Sequence, residues 1–141
     1  MKCSARLLLF AWLGGTALAA GPPDELPVFK PGLWSFSLSV NHYGAKEPQV
    51  RTMTRCADPI EEIRQKWQSL ATQSCQFSPV SRDGSRYSYS AACDKQGHRI
   101  SMRSVILAEG DDSYRVDTES HTPTQASREI VVARRVGDCP N

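Results

Sequence analysis

The chain is short of the patterns that catalysis and metal binding need. It has three histidines, His42, His98 and His121, and no two stand at the His-x-x-x-His spacing that puts two ligands on one helix face. No Cys-x-x-Cys occurs, which argues against a zinc knuckle and against the paired thiols of a redox motif. There is no Gly-x-Ser-x-Gly elbow to expose a nucleophilic serine and no glycine-rich loop to cradle phosphate. Asp117 or Glu119 could complete a metal site with the histidines, but all three histidines fall at predicted turns or strand ends, where surface residues are the better reading. Glu109-Gly110-Asp111-Asp112 crowds carboxylates into a turn that could hold calcium, yet it lacks the long alternating loop of an EF-hand. The sequence therefore assigns no catalytic, cofactor-binding or metal-ligating residue, and a hydrolase is the least supported class of function.

Long apolar runs are missing too, with one exception at the start. Lys2 and Arg6 precede Leu7–Leu13, and Ala17-Leu18-Ala19 then offers small residues at the spacing of a cleavage site, just before Gly21-Pro22-Pro23. Two glycines and a threonine interrupt the run before it reaches the ~20 residues of a membrane span. Residues 1–19 thus read as a cleavable signal peptide, which leaves no membrane span after cleavage and a periplasmic or secreted protein. Cys3 lies before the apolar run, so it is not the acylated cysteine of a lipoprotein. Losing Lys2 and Arg6 leaves fifteen Lys+Arg against fifteen Asp+Glu. A neutral mature chain gives no reason to expect a nucleic-acid partner. Eleven of the remaining cations are arginines; Arg99, Arg103, Arg128, Arg134 and Arg135 lie on or beside strands and read as a solvated, salt-bridged sheet face.

Four cysteines remain: Cys56, Cys75, Cys93 and Cys139. An even number in a small exported chain implies a disulfide framework. Intervals of eighteen, seventeen and forty-five residues do not suit a zinc site. Arg82-Asp83-Gly84-Ser85 is a hairpin turn, and reflection through Gly84 brings Cys75 onto Cys93. Directly opposed Cβ atoms lie ~4.5–5.5 Å apart. The expected bridges are therefore Cys75–Cys93 and, by remainder, Cys56–Cys139.

Residues 20–31 form a proline-rich lead-in, extended and expected to be poorly ordered. Residues 32–141 form one domain in which period-two alternation dominates. Trp34, Phe36, Leu38 and Val40 share one face of a strand, with Ser35, Ser37 and Ser39 on the other. Gln49–Arg55 continues, with Val50, Thr52 and Thr54 on one face. Asp58 can cap a helix with Pro59 at its first position, and Ile60, Ile63, Trp67 and Leu70 recur at helical spacing. Further strands are expected at Gln76–Ser81, Arg86–Cys93, His98–Leu107, Ser113–His121 and Ser127–Arg135. Tyr87, Tyr89, Ala91 and Cys93 share one face of the second of these. Turn signals every eight to fourteen residues favour an all-β or β-dominated α+β domain. Its antiparallel sheet has about seven strands, as a sandwich or an incomplete barrel, with one short helix at about 58–71.

Pro31-Gly32-Leu33-Trp34 opening a strand, a threonine-rich strand ending in Cys56, and a closing Arg134-Arg135-Val136-Gly137-Asp138-Cys139 together resemble domain of unknown function 3617. This is a family of small exported proteobacterial proteins, and the similarity spans residues 30–140, with Cys75 and Cys93 also falling where the family places cysteines. The resemblance implies export and supplies no catalytic residue; the polar stretch between Gly110 and Ala126 departs most from the family pattern. Two readings of function follow. In one, the chain is a non-enzymatic envelope protein that binds a small apolar ligand, with Trp34, Phe36 and Tyr89 as core or pocket residues. In the other, it is an interaction or inhibitor module that contacts an envelope protein through Gly44–Pro48 or Thr122–Ala126.

Overall fold

A computed structural model describes residues 26–140, so the predicted signal peptide and the first part of the lead-in lie outside the described residues. In chain order the elements are β1 (Gly32–His42), β2 (Gln49–Ala57), α1 (Pro59–Ala71), β3 (Cys75–Phe77) and β4 (Ser81–Asp83), then β5 (Arg86–Lys95), β6 (His98–Ala108), β7 (Ser113–His121) and β8 (Ala126–Gly137). All strands join one open antiparallel sheet of order β2-β1-β8-β7-β6-β5-β3, with β4 also on β5. The architecture is one open sheet rather than a sandwich of two, and its eight strands agree with the expected number of about seven.

The extra strand comes from a break in the stretch expected as Gln76–Ser81. Asp83 faces Arg86, so the hairpin loop is Gly84-Ser85 and the turn is centred between those residues rather than on Gly84. A regular ladder from that turn would set Cys75 opposite Asp94. Instead, Ser78 N–H donates to Ser90 O (2.9 Å) and Ser78 Oγ accepts from Ser90 N–H (2.9 Å), after which Pro79, lacking an N–H, carries the chain out of the ladder. The bulge absorbs one residue, and β3 re-enters with Cys75 opposite Cys93.

Register assigns every strand an inner and an outer face. Trp34, Phe36 and Leu38 on β1 face inward with Ala133 and Val131 of β8, Tyr114 and Val116 of β7, and Ile106 of β6. The threonines of β2 oppose the serines of β1 on the outer face, so the inner residues of that edge strand are Arg51, Met53 and Arg55. The helix α1 lies over the inner face. Asp58 accepts from Glu61 N–H (3.3 Å), Pro59 takes the first turn, and Ile60 and Trp67 are buried. Two aromatic groups result. Phe29 stacks on Tyr114 (4.6 Å between centroids) beside Trp34, and Trp67 packs edge-on to Tyr89 (4.5 Å) beside Phe77.

The described part of the lead-in is extended but anchored. Phe29 is buried, Lys30 N–H donates to Asp111 O, and Trp34 Nε1–H donates to Lys30 O (3.0 Å). A rigid acceptor at Lys30 and a stacked ring at Phe29 supply what the proline count concealed.

Candidate functional site

Between the two aromatic groups α1 does not close down on the sheet. The space left is a groove of about 320 Å³, near the lower end of the ~300–1,000 Å³ found for small-molecule sites. Its walls are Leu38, Met53, Ile106, Val116 and Val131 from the strands and Ile63 from the helix. Side chains from β2 across to β5 line this one space, which requires the sheet to curve around α1. The small Ala133, fully buried behind it, lets Trp34 and Tyr114 meet at one end (5.5 Å).

Polar groups are few and mostly spoken for. Ser104, buried on the inner face, shares a 2.8 Å hydrogen bond with Thr118, so neither hydroxyl is left unmatched. At one lip Arg55 donates from Nη1 and Nη2 to the two Glu62 oxygens (2.5 and 2.8 Å). The same guanidinium lies 4.7 Å from the Phe36 ring centroid. This fork ties edge strand to helix, and the Glu62 hydrogen bond raises the Arg55 pKa further. Burial pushes the Tyr114 phenol up to about 12, with the Glu62 charge acting the same way and Arg55 opposing it. Tyr114 is thus a neutral end wall. Lys66 and the half-buried Glu129 border the opening, and among the described residues neither takes part in an ion pair.

Of the three residues singled out in the sequence, Trp34 is fully buried core, whereas Phe36 and Tyr89 line the groove. The histidines are not brought together. His42 Nδ1 lies 3.2 Å from Gln125 Nε2, His98 opens β6, and His121 closes β7. Among the described residues no three of His, Cys, Asp and Glu are grouped as metal ligands. In the acidic turn, Asp111 is taken by Lys30 (2.7 Å) and is held below the usual carboxylate range by that hydrogen bond. Met53, Ile63, Val131 and Glu129 were not foreseen as site residues. The alternation of Glu129, Val131 and Ala133 along β8 carried the signal, since a carboxylate in an inner-face series marks an opening rather than a core.

Cys75 is bonded to Cys93 and Cys56 to Cys139, the latter joining the end of β2 to the segment after β8. The segments that carried the family resemblance lie side by side. Gly32 has φ +154°, and a Cβ there would fall 2.6 Å from Gly137 O and against the Arg135 side chain. Arg135 donates from Nε to Pro31 O (3.1 Å) and pairs with Asp138. The family described as "Protein of unknown function (DUF3617)" matches residues 29–139 and so takes in both sides of this clasp. The chain belongs to the DUF3617 family. No curated protein and no solved structure matches it. The described residues of this DUF3617 domain contain no helix long and apolar enough to cross a membrane.

Proposed function

We propose that this DUF3617 protein is exported by its signal peptide to an oxidising compartment, the periplasm or the medium. There it holds a small apolar or amphipathic molecule in the groove between α1 and the sheet. The observation that carries this reading is the groove itself: apolar walls from six strands and a helix around about 320 Å³, with unpaired Lys66 and Glu129 only at its opening. Binding would come from burial of apolar ligand surface, at ~25 cal/mol per Å² before the costs of association. The two disulfides and the cleavage pattern at Ala17-Leu18-Ala19 support export.

The test is titration of the mature protein with the uncharged probe phenylnaphthylamine, followed by probe fluorescence and by quenching of Trp67, which lines the groove. Saturable binding that is lost in Val131→Trp, a substitution that fills the groove, supports the reading. No saturation, or binding unchanged in Val131→Trp, overturns it. Export is tested separately: protein recovered from the periplasm or the medium should begin at Ala20.

A second reading, a module that docks on an envelope protein, is favoured by one feature. Tyr43 N–H donates to Ala126 O (2.8 Å), which joins the Gly44–Pro48 and Thr122–Ala126 loops at one end of the sheet beside a Tyr43 ring left 89 % exposed. A crosslinked periplasmic partner that disappears in Tyr43→Ser would move the assignment to this reading.

A further inference from the structure

The sheet face turned away from α1 was expected to be a solvated lattice of ion pairs. Half of it is. On β7 and β8, Asp117 accepts from Arg128 Nε (2.8 Å) and Nη2 (2.6 Å) and also lies 3.7 Å from Arg115. The Arg128 hydrogen bonds hold the Asp117 carboxyl below its ordinary range.

The other half is not balanced. Arg86 on β5 and Arg103 on β6 are exposed, and among the described residues neither makes a salt bridge. Yet both line the same depression as Arg115 and Arg128, a space of about 270 Å³ floored by Val105 and Leu107. Register fixes the layout. Arg86 is opposite Leu107, which is opposite Arg115; Arg103 is opposite Glu119, which is opposite Arg128. Four guanidinium groups therefore stand at the corners of an apolar floor, with two carboxylates on one strand between two of them. Four arginines against Asp117 and Glu119 leave a local excess of two positive charges, and like charges in excess repel unless a counter-charge joins them. In a chain whose exported part is formally neutral, this concentration is local rather than a reflection of overall charge.

We infer that this depression is a second binding site, on the opposite face from the groove, for an oxyanion carried on an apolar body. Arg86 and Arg103 supply the open guanidinium forks, which suit the planar, multiple acceptors of phosphate, sulfate or carboxylate. Arg115 is the third cation within the same space. Asp117 holds Arg128 and draws Arg115 toward it, so the anion is left the β5–β6 side, directly over Val105 and Leu107. That floor gives an organic anion an advantage over an inorganic one.

Titrations of the mature, disulfide-bonded protein with inorganic phosphate, phenyl phosphate and phenol separate the contributions of charge and apolar contact. Phenyl phosphate should bind most tightly, roughly tenfold better than inorganic phosphate, with phenol not binding at this face. Raising salt should weaken phenyl phosphate binding. Arg86→Ala with Arg103→Ala should reduce it by at least about tenfold, the loss of charge-assisted hydrogen bonds. Val131→Trp, which blocks the groove on the other face, should leave it unchanged. Nuclear magnetic resonance shifts of β5 and β6 amides locate the site, and unchanged spectra elsewhere show that the variant still folds. Phenyl phosphate that shows no saturation, binds no better than phenol, or binds the double variant as well as the parent overturns the inference. Failure of the groove reading alone leaves all of these outcomes unaffected.

Discussion

At the scale of single residues, Gly32 is the most tightly enclosed of the described glycines. Its φ of +154° and the 2.6 Å approach of Gly137 O leave no room for a Cβ. Gly32→Ala should therefore destabilise the fold by about 2 kcal/mol or more in denaturant melts, whereas Gly44→Ala, with open space around it but φ +91°, should cost only its backbone strain of about 1 kcal/mol. Two ionisable side chains make opposite statements about pH. The Tyr114 pKa is raised from 10.0 to about 12, so its contribution is complete below pH 10 and is lost as pH rises through about 12. Absorbance titration should show one tyrosine ionising late, together with loss of the fold, and Tyr114→Phe should remove that late step. Asp117 is shifted the other way by Arg128. Its contribution is present above the ordinary aspartate range and is lost as pH falls through its depressed value; Asp117→Asn should flatten that acid limb of the stability profile.

At the scale of elements, alternation was the legible part. Trp34, Phe36 and Leu38 face inward as their spacing demands, and the capped helix begins at Pro59 with Ile60 and Trp67 turned to the core. The break at Pro79 was less legible, because Gln76–Ser81 keeps a strand composition while its proline interrupts the ladder. Nor did the sequence show which way β2 faces. That is set by pairing with β1 and leaves Arg55, not a threonine, over the groove. Candidate site residues suffered most, since a groove needs strand order and curvature, and alternation supplies neither. Two element-scale outcomes are expected. Deleting Pro79 removes the extra residue of the bulge, so β3 and β4 should merge with Cys75 still opposite Cys93; peptide mapping without reduction checks this. Ser74 ends the helix region with φ 63°, a conformation that costs an L-residue about 1 kcal/mol, so Ser74→Gly should raise the melting temperature.

At the scale of the whole molecule, the sheet is built from neighbours in sequence except at two places: β3 pairs with β5 as the continuation of β4 past the bulge, and β1 pairs with β8. Adjacent strands β5 to β8 are joined by turns, but β1 lies between β2 and β8, so the first strand waits for the last. That contact is reinforced by Arg135 on Pro31 and by Cys56–Cys139, which spans 83 residues. In the chain-entropy account a loop of that length is worth about 4.5 kcal/mol, against about 3 kcal/mol for the Cys75–Cys93 loop, whose sequence separation is 18. Removing the long bridge with Cys56→Ser and Cys139→Ser should thus lower stability more than removing the short one with Cys75→Ser and Cys93→Ser. Equilibrium unfolding of the two double variants measures the difference.

The two bridges are nested, with Cys75–Cys93 enclosed by Cys56–Cys139. If the chain is exported as proposed, it would present these thiols in numerical order, and Cys56 would meet Cys75 while its true partner was still on the other side of the membrane. An oxidase that joins whichever thiols arrive first would seal Cys56 to Cys75, a bond incompatible with the opposition of Cys75 and Cys93 across β3 and β5. On that proposed route, maturation would require either that Cys56 be shielded until β8 arrives or that a thiol exchange undo the early bond. Yield in cells lacking a disulfide isomerase, compared with cells that have one, would tell which route this chain follows.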